Sequence, residues 1–351
     1  GSTNLILHVP AIAHAAGRPR PTVADWDRIN RQVPRLVDVL PNGPEYHVTV
    51  RAFLAGGVPE VMLHLRRLGL LKEEALTATG RTLRENLDWW ERSERRQAFR
   101  SKLEELDGVS PDRVILAPEQ ARRKGLTSTV CFPQGNLAPE GSVVKSTSID
   151  PSVVDTDGVY RQKGPAKVFT TEKAAIAALK AQQIQPGDVM VLLSCGPMGT
   201  GMEEIAQITT ALKYLDYGKR VAVLTDARFS GFSTGACLGH ISPEALAGGP
   251  IGKLVDGDLI EITVDRENLK GSVNLVGAAG REFGAAEGAH LLEHRPLRPD
   301  LAPEEHLPDA TRLWAALQNV GGGTWAGCVY DVDAIVAALE AGQQALAEQQ
   351  P

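Results

Sequence analysis

The chain has 351 residues, 43% of them hydrophobic, and a formal net charge of −6. That balance argues against a general nucleic-acid surface, because neutralising phosphates needs a basic field. No apolar run approaches the roughly 20 residues that cross a bilayer and nothing at the start reads as a signal peptide, so no membrane partner and a cytoplasmic location are expected.

In chain order, the segment opens at Gly1-Ser2-Thr3-Asn4 without Met and runs straight into a helical pattern, so it is read as a fragment. Leu5 to Gly17 is helical with a glycine stop, and Thr22 caps a second helix at Val23. Ala52 to Leu68 reads as a third helix, interrupted around Gly56-Gly57-Val58-Pro59. Thr82 to Leu106 is a charged amphipathic stretch, with Arg92 to Arg100 taken as a solvated face. After Asp107-Gly108 the texture changes to short β-rich runs such as Val143-Val144-Lys145, Ala166 to Phe169, Leu259 to Val264 and Ser272 to Leu275. A helix from Glu172 to Ala181 sits among them, and a last segment from about Arg295 ends in a helix from Val332 to Gln349. The expected fold class is α/β: a helical part over 1–110, a β-barrel-like swivelling domain with covering helices over 111–290, and a carboxy-terminal extension over 291–351.

Two loops stand out. Asp188 to Leu193 and Arg220 to Leu224 are continuous apolar runs of the kind that form buried parallel strands. Each is followed by a glycine-rich loop, Gly196 to Glu204 and Thr225 to Gly235, and an amphipathic helix lies between them. In such a βαβ unit both loops emerge at the same carboxyl edge of the sheet, where α/β proteins place ligands, so Glu204 and Ser230 can meet. Backbone N–H groups at Gly199 and Gly201, with Thr200, are candidate anion donors. Two plainer readings stay open: Glu203 and Glu204 complement a helix dipole, and Ser230 makes only a turn bond.

The motifs resemble the carboxy-terminal portion of the dihydroxy-acid and phosphogluconate dehydratase family. The resemblance rests on Gly1-Ser2-Thr3-Asn4, Ala55-Gly56-Gly57-Val58-Pro59, Thr79-Gly80-Arg81-Thr82-Leu83, Gly135-Asn136-Leu137-Ala138-Pro139-Glu140-Gly141-Ser142 and Gly164 to Phe169. It continues through both loops, Gly239-His240-Ile241-Ser242-Pro243-Glu244-Ala245, Gly248 to Gly252, and Asp256 to Ile262. The Met202-Glu203-Glu204 form of the first loop and the tail Trp325 to Asp331 are more similar to the sugar-acid, xylonate-type branch.

The resemblance implies a hydro-lyase that removes water from a 2,3-dihydroxy sugar acid, an aldonate such as xylonate, giving a 2-keto-3-deoxy acid. It implies Mg²⁺ and an iron–sulfur cluster in the complete enzyme, with Glu204 as a Mg²⁺ ligand and Ser230 as the base at C2. In the family the cluster cysteines and the remaining acidic ligands precede the Gly-Ser-Thr-Asn motif. Cys131, Cys195, Cys237 and Cys328, which lie far apart without a Cys-x-x-Cys pair, are therefore given no metal role, and no iron–sulfur ligands are expected in this chain. The isolated chain is expected to lack activity, to need an amino-terminal portion as partner, and to form a homo-oligomer. Phe232 stands where some sugar-acid members carry a hydroxyl.

Substrate contacts are expected from Gly199, Thr200, Gly201, Arg228, Gly231 and His240. For His240 a structural hydrogen-bonding role competes, and for Asp226 and Arg228 an internal ion pair or turn bonding competes with an Arg clamp on carboxylate. Asn136 and Glu140 to Lys145 are read as the mouth of the barrel, in structural use. Three other functions stand beside the sugar-acid enzyme: a branched-chain dihydroxy-acid dehydratase, a non-catalytic scaffold or dimerisation fragment, and a nucleotide-binding domain. The last is weakened because the first loop has neither a Walker ending nor the dinucleotide glycine order.

Overall fold

The computed structural model describes residues 2–40, 43, 45, 47–231 and 233–348. The chain folds as two units, Gly1–Arg28 with Val130–Pro351, and Ile29–Thr129. The boundaries expected from composition lay near 110 and 290. What composition does not reveal is that the first helix, Leu5–Ala15, packs in the larger unit against the turn Thr324–Ala326: a Cβ on Gly327 would lie 2.6 Å from the Ala11 nitrogen.

The strands described are β1 Gly141–Val144, β2 Val159–Phe169, β3 Val189–Leu192, β4 Glu204–Ile205, β5 Ala222–Thr225, β6 Arg228–Phe229, β7 Cys237–Ser242, β8 Leu259–Asp265, β9 Lys270–Ala278 and β10 Arg281–Glu282. Eight form one mixed sheet in the order β1-β7-β5-β3-β2-β8-β9-β10, and β4 pairs with β6 separately. The central strands β2, β3, β5 and β7 are parallel, and the flanking pairs are antiparallel. The sheet curls into the expected barrel-like form: residues 131–134 bridge Cys131 to Val144 on β1 and Gln134 to Ser272 on β9, and so join its two margins.

Alternation explains the apolar runs. Val189, Val191 and Leu193 point into one core with Ala222, Leu224, Ile260, Ile262 and Leu275, while Met190 and Leu192 point into another with Ile6, Ile208, Leu212 and Phe229. Both faces of β3 are covered, so every position along it must be apolar. The outer core is closed by helices Glu172–Lys180, capped by the Thr171 hydroxyl, and Gln207–Lys213.

The smaller unit is helical, as expected. Gly56 (φ 123°) and Gly57 (φ 63°) break the stretch 52–68 into Thr49–Leu54 and Gly57–Arg67. The charged stretch is broken at Ser93, which caps Glu94–Asp107 after Leu83–Arg92, itself opened by a Thr82/Glu85 capping box. Arg92 to Arg100 is not a uniformly solvated face. Arg96 reaches the buried Glu60 carboxylate through two bonds of 2.7 Å, and Arg100 lies 3.6 Å from the same group. Burial pushes the Glu60 carboxyl up, but the guanidinium groups of Arg96 and Arg100 prevail and hold it below its usual range.

Candidate active site

β3 and β5 are adjacent and parallel, so the chain leaves both at one edge. After β3, Ser194 turns with φ 58°, Pro197–Thr200 makes a single helical turn, and Gly201 (φ 78°) redirects the chain into β4. After β5, Asp226 and Ala227 lead into β6. Register pairs Glu204 with Arg228 and Ile205 with Phe229. The next N–H, that of Ser230, donates to the Ile205 carbonyl at 3.1 Å. Glu204 and Ser230 therefore flank one short ribbon. The dipole reading of Glu203 and Glu204 is corrected: the following helix begins at Gln207, and Glu204 is in a strand because β6 supplies it a backbone partner.

Arg228 organises this ribbon. Its guanidinium bonds Glu204 Oε1 at 3.0 Å, Asn4 Oδ1 at 2.6 Å and the Met202 carbonyl at 2.5 Å. The ion-pair alternative for Arg228 is thus the one realised, but its partner is Glu204, not Asp226. Asp226 is wholly buried and accepts N–H bonds from Ser194 (3.2 Å), Cys195 (3.1 Å) and Ala245 (3.0 Å), tying the two loops together. Burial pushes its carboxyl up to about 6 against the pull of those donors. Glu244 holds the first loop in the same way, accepting the Met198 N–H at 3.0 Å. Burial, with Asp226 nearby, pushes the Glu244 carboxyl up to about 8.

The candidate anion donors are engaged within their own turn. Gly199 and Thr200 N–H donate to the Gly196 carbonyl, Gly201 N–H to that of Pro197, and the Thr200 hydroxyl to that of Cys195 at 2.9 Å. Gly199 must be glycine, since a Cβ would fall 1.9 Å from the Ser194 carbonyl oxygen. Gly231 is exposed. His240 is 1% exposed, in a left-handed conformation (φ 53°), with its ring edge-on to Phe229 at 5.7 Å. Burial, then the charges of Arg228 and Lys145, hold its imidazole down to about 3, so the ring is neutral. The hydrogen-bonding role expected of this histidine is not made by its ring, whose two nitrogens are buried without a hydrogen-bond partner; only its backbone bonds, N–H to the Ala227 carbonyl at 2.9 Å and carbonyl to Trp325 Nε1 at 3.0 Å. Phe232, like Gly1 and Gln349, lies outside the described residues.

Sequence reasoning missed Asn4 as a partner of Arg228 and treated Lys145 only as part of the barrel mouth. The glycine-serine-threonine-asparagine motif marked Asn4, but nothing local linked it to position 228. Asn136 is structural as expected, bonding Leu275 and Ala285 carbonyls. Cys131, Cys195 and Cys237 are buried and Cys328 partly so. Burial pushes the thiols of Cys237 and Cys328 up to about 12 and raises that of Cys195. Among the described residues, no group of three or more His, Cys, Asp or Glu side chains converges as a metal cage would.

The chain also matches known proteins. Residues 117–297 match the family described as dihydroxy-acid/6-phosphogluconate dehydratase C-terminal, and residues 1–86 match its N-terminal counterpart. The chain belongs to the dihydroxy-acid/6-phosphogluconate dehydratase family. It is 64% identical to D-xylonate dehydratase YagF of Escherichia coli over 99% of this chain and 53% of that protein. It is 61% identical to D-xylonate dehydratase YjhG of the same organism, over 97% of this chain and 52% of that protein. With the dihydroxy-acid dehydratase of Moorella thermoacetica the identity is 40%, over 77% of this chain and 44% of that protein. Within the family the chain falls in the xylonate dehydratase-like branch. It spans about half the length of the curated relatives it matches. Among the described residues no helix is long and apolar enough to cross a membrane.

Proposed function

We propose that this chain carries the base side of a sugar-acid dehydratase site, in an enzyme that converts a 2,3-dihydroxy aldonate such as xylonate to a 2-keto-3-deoxy acid. The observation that supports it is the β4–β6 ribbon, which sets a partly exposed carboxylate, Glu204, opposite Arg228, with Ser230 two residues farther on and bonded to the Ile205 carbonyl. Ser230, as an alkoxide, takes the proton from C2. The C2–H electron pair becomes the C2–C3 double bond as the 3-hydroxyl leaves, and the resulting enol ketonises. Arg228 holds Glu204 in place and offsets its charge, and Asp226 and Glu244 fix the loops that carry both groups.

The donor set fits Mg²⁺ in part: Glu204 offers a hard carboxylate oxygen, and Mg²⁺ is commonly held by one or two carboxylates plus substrate. When bound, such an ion would neutralise the substrate's carboxylate and 2-hydroxyl oxygens. An iron–sulfur cluster does not fit the four cysteines, which do not converge and of which Cys195, Cys237 and Cys328 have thiols held in the protonated form by burial, so no step is assigned to it here. Homo-oligomeric assembly and a lack of turnover by the isolated chain remain part of the proposal.

The test uses the full-length, cofactor-loaded protein containing this segment, assayed for 2-keto acid formation from D-xylonate and from 2,3-dihydroxyisovalerate. Turnover of the aldonate, abolished in Ser230→Ala at unchanged metal content, is the expected result. Preference for the branched-chain substrate would support the alternative dehydratase, and parental turnover by the alanine variant would refute the assignment of the base.

A further inference from the structure

Lys145 follows β1 at its carboxyl end and is 4% exposed. Its ammonium donates to the Ser230 carbonyl at 3.0 Å and the Gly231 carbonyl at 2.6 Å, and sits 5.3 Å from the centre of the Phe229 ring. These partners are two neutral carbonyls and an aromatic face, and no carboxylate pairs with it among the described residues. A buried ammonium in that setting is costly, and burial indeed lowers its pKa, with only Cys237 and Glu204 acting to raise it. A lysine that served only to fill space or satisfy carbonyls would be replaced at lower cost by a neutral donor.

We infer that Lys145 is a positioning residue for Ser230: it fixes the backbone of the serine by its carbonyl and supplies the positive charge that favours an ionised hydroxyl there. The inference rests on the reading of Ser230 as the base. The serine is then held from both sides, its N–H by the Ile205 carbonyl and its C=O by Lys145 together with the Ser233 N–H at 3.0 Å. The unit charge lies 3.0 Å from the backbone carbonyl oxygen of the residue whose hydroxyl must become an anion. Such a preset charge stabilises developing negative charge without reorganisation. Glu204 and Arg228 are the other charged groups on the ribbon, and they largely offset each other, so Lys145 supplies the net positive field.

Lys145→Gln separates the two roles, keeping a donor for one carbonyl and removing the charge. In the full-length, cofactor-loaded protein, kcat is expected to fall roughly 100-fold with KM within about threefold, and Lys145→Arg is expected to recover most of the loss. Hydrogen exchange of the 226–236 peptide, measured on this chain alone, is expected to stay at the parental rate in the Gln variant and to speed up in Lys145→Met. Parental kcat in the Gln variant overturns the electrostatic role. Parental exchange in the Met variant overturns the clamp. Should the Gln variant fail to fold, the Arg variant decides: a stable protein as inactive as Ser230→Ala overturns the inference. Ser230→Ala run in parallel keeps the two levels apart. Full activity there sinks the site reading itself, whereas an inactive Ser230→Ala with a fully active Lys145→Gln sinks only the role of Lys145.

Discussion

Glu244→Gln should make the protein more stable at neutral pH, and the size of the gain follows from where the carboxyl sits. Glu244 is 3% exposed, has Asp226 as a neighbouring acid, and spends one oxygen on the Met198 N–H while Oε1 has no hydrogen-bond partner. Its pKa rises from 4.5 to about 8. Because the folded state holds a proton that the unfolded chain releases, the contribution of this group is complete below pH 4.5 and declines as pH rises toward 8, by about 1.4 kcal/mol per pH unit. At pH 7 the accumulated loss is about 3 kcal/mol. Glutamine keeps the acceptor for Met198, mimics the protonated acid and removes the titration. Urea unfolding of both proteins at pH 5, 6, 7 and 8 reads the effect: near-equal stability at pH 5, with the Gln variant increasingly ahead above it. Parallel pH profiles for the two proteins would show that Glu244 is not held protonated and that this account of the loop is wrong.

Two further outcomes are expected. Gly199→Ala forces its Cβ to within 1.9 Å of the Ser194 carbonyl oxygen, so the first loop must shift. A destabilisation of about 1–3 kcal/mol is expected by thermal unfolding, with loss of turnover in the loaded enzyme. Glu60→Gln leaves Arg96 and Arg100 without their shared anion in the helical unit. The cost should be about 3 kcal/mol, at the low end for a broken buried pair because those side chains are 21% and 18% exposed. Since the Glu60 carboxyl is held below its ordinary pKa, its contribution is present above about pH 4.5 and is lost as the medium is acidified. Urea midpoints that converge for Glu60→Gln and parent at low pH check this.

Much of the fold was legible because local patterns dictated it. Apolar runs such as Val189 to Leu192, short and bounded by glycine and charge, are of the kind that form strands covered on both faces, and the βαβ connection places the Gly196 and Thr225 loops at one edge. Helix breaks at Gly56, Gly57 and Ser93 follow from backbone freedom and capping. Glu204 was misread at the level of element because a two-residue strand has no periodicity of its own and exists only by pairing with Arg228 and Phe229. The face around Arg96 was misread because charge run and exposure coincide only where no buried carboxylate such as Glu60 faces the run.

The amino-acid order by itself determined most of the elements, the parallel core and the emergence of the Gly196 and Thr225 loops at one edge of the sheet. The tertiary structure alone decided which charges meet. Asn4 reaches Arg228 across 224 positions and Lys145 reaches Ser230 across 85, while the first helix packs on the turn at Thr324. Pairings of this kind are set by the closing of the sheet and the desolvation of the groups it brings together, and neither leaves a periodic trace along the chain.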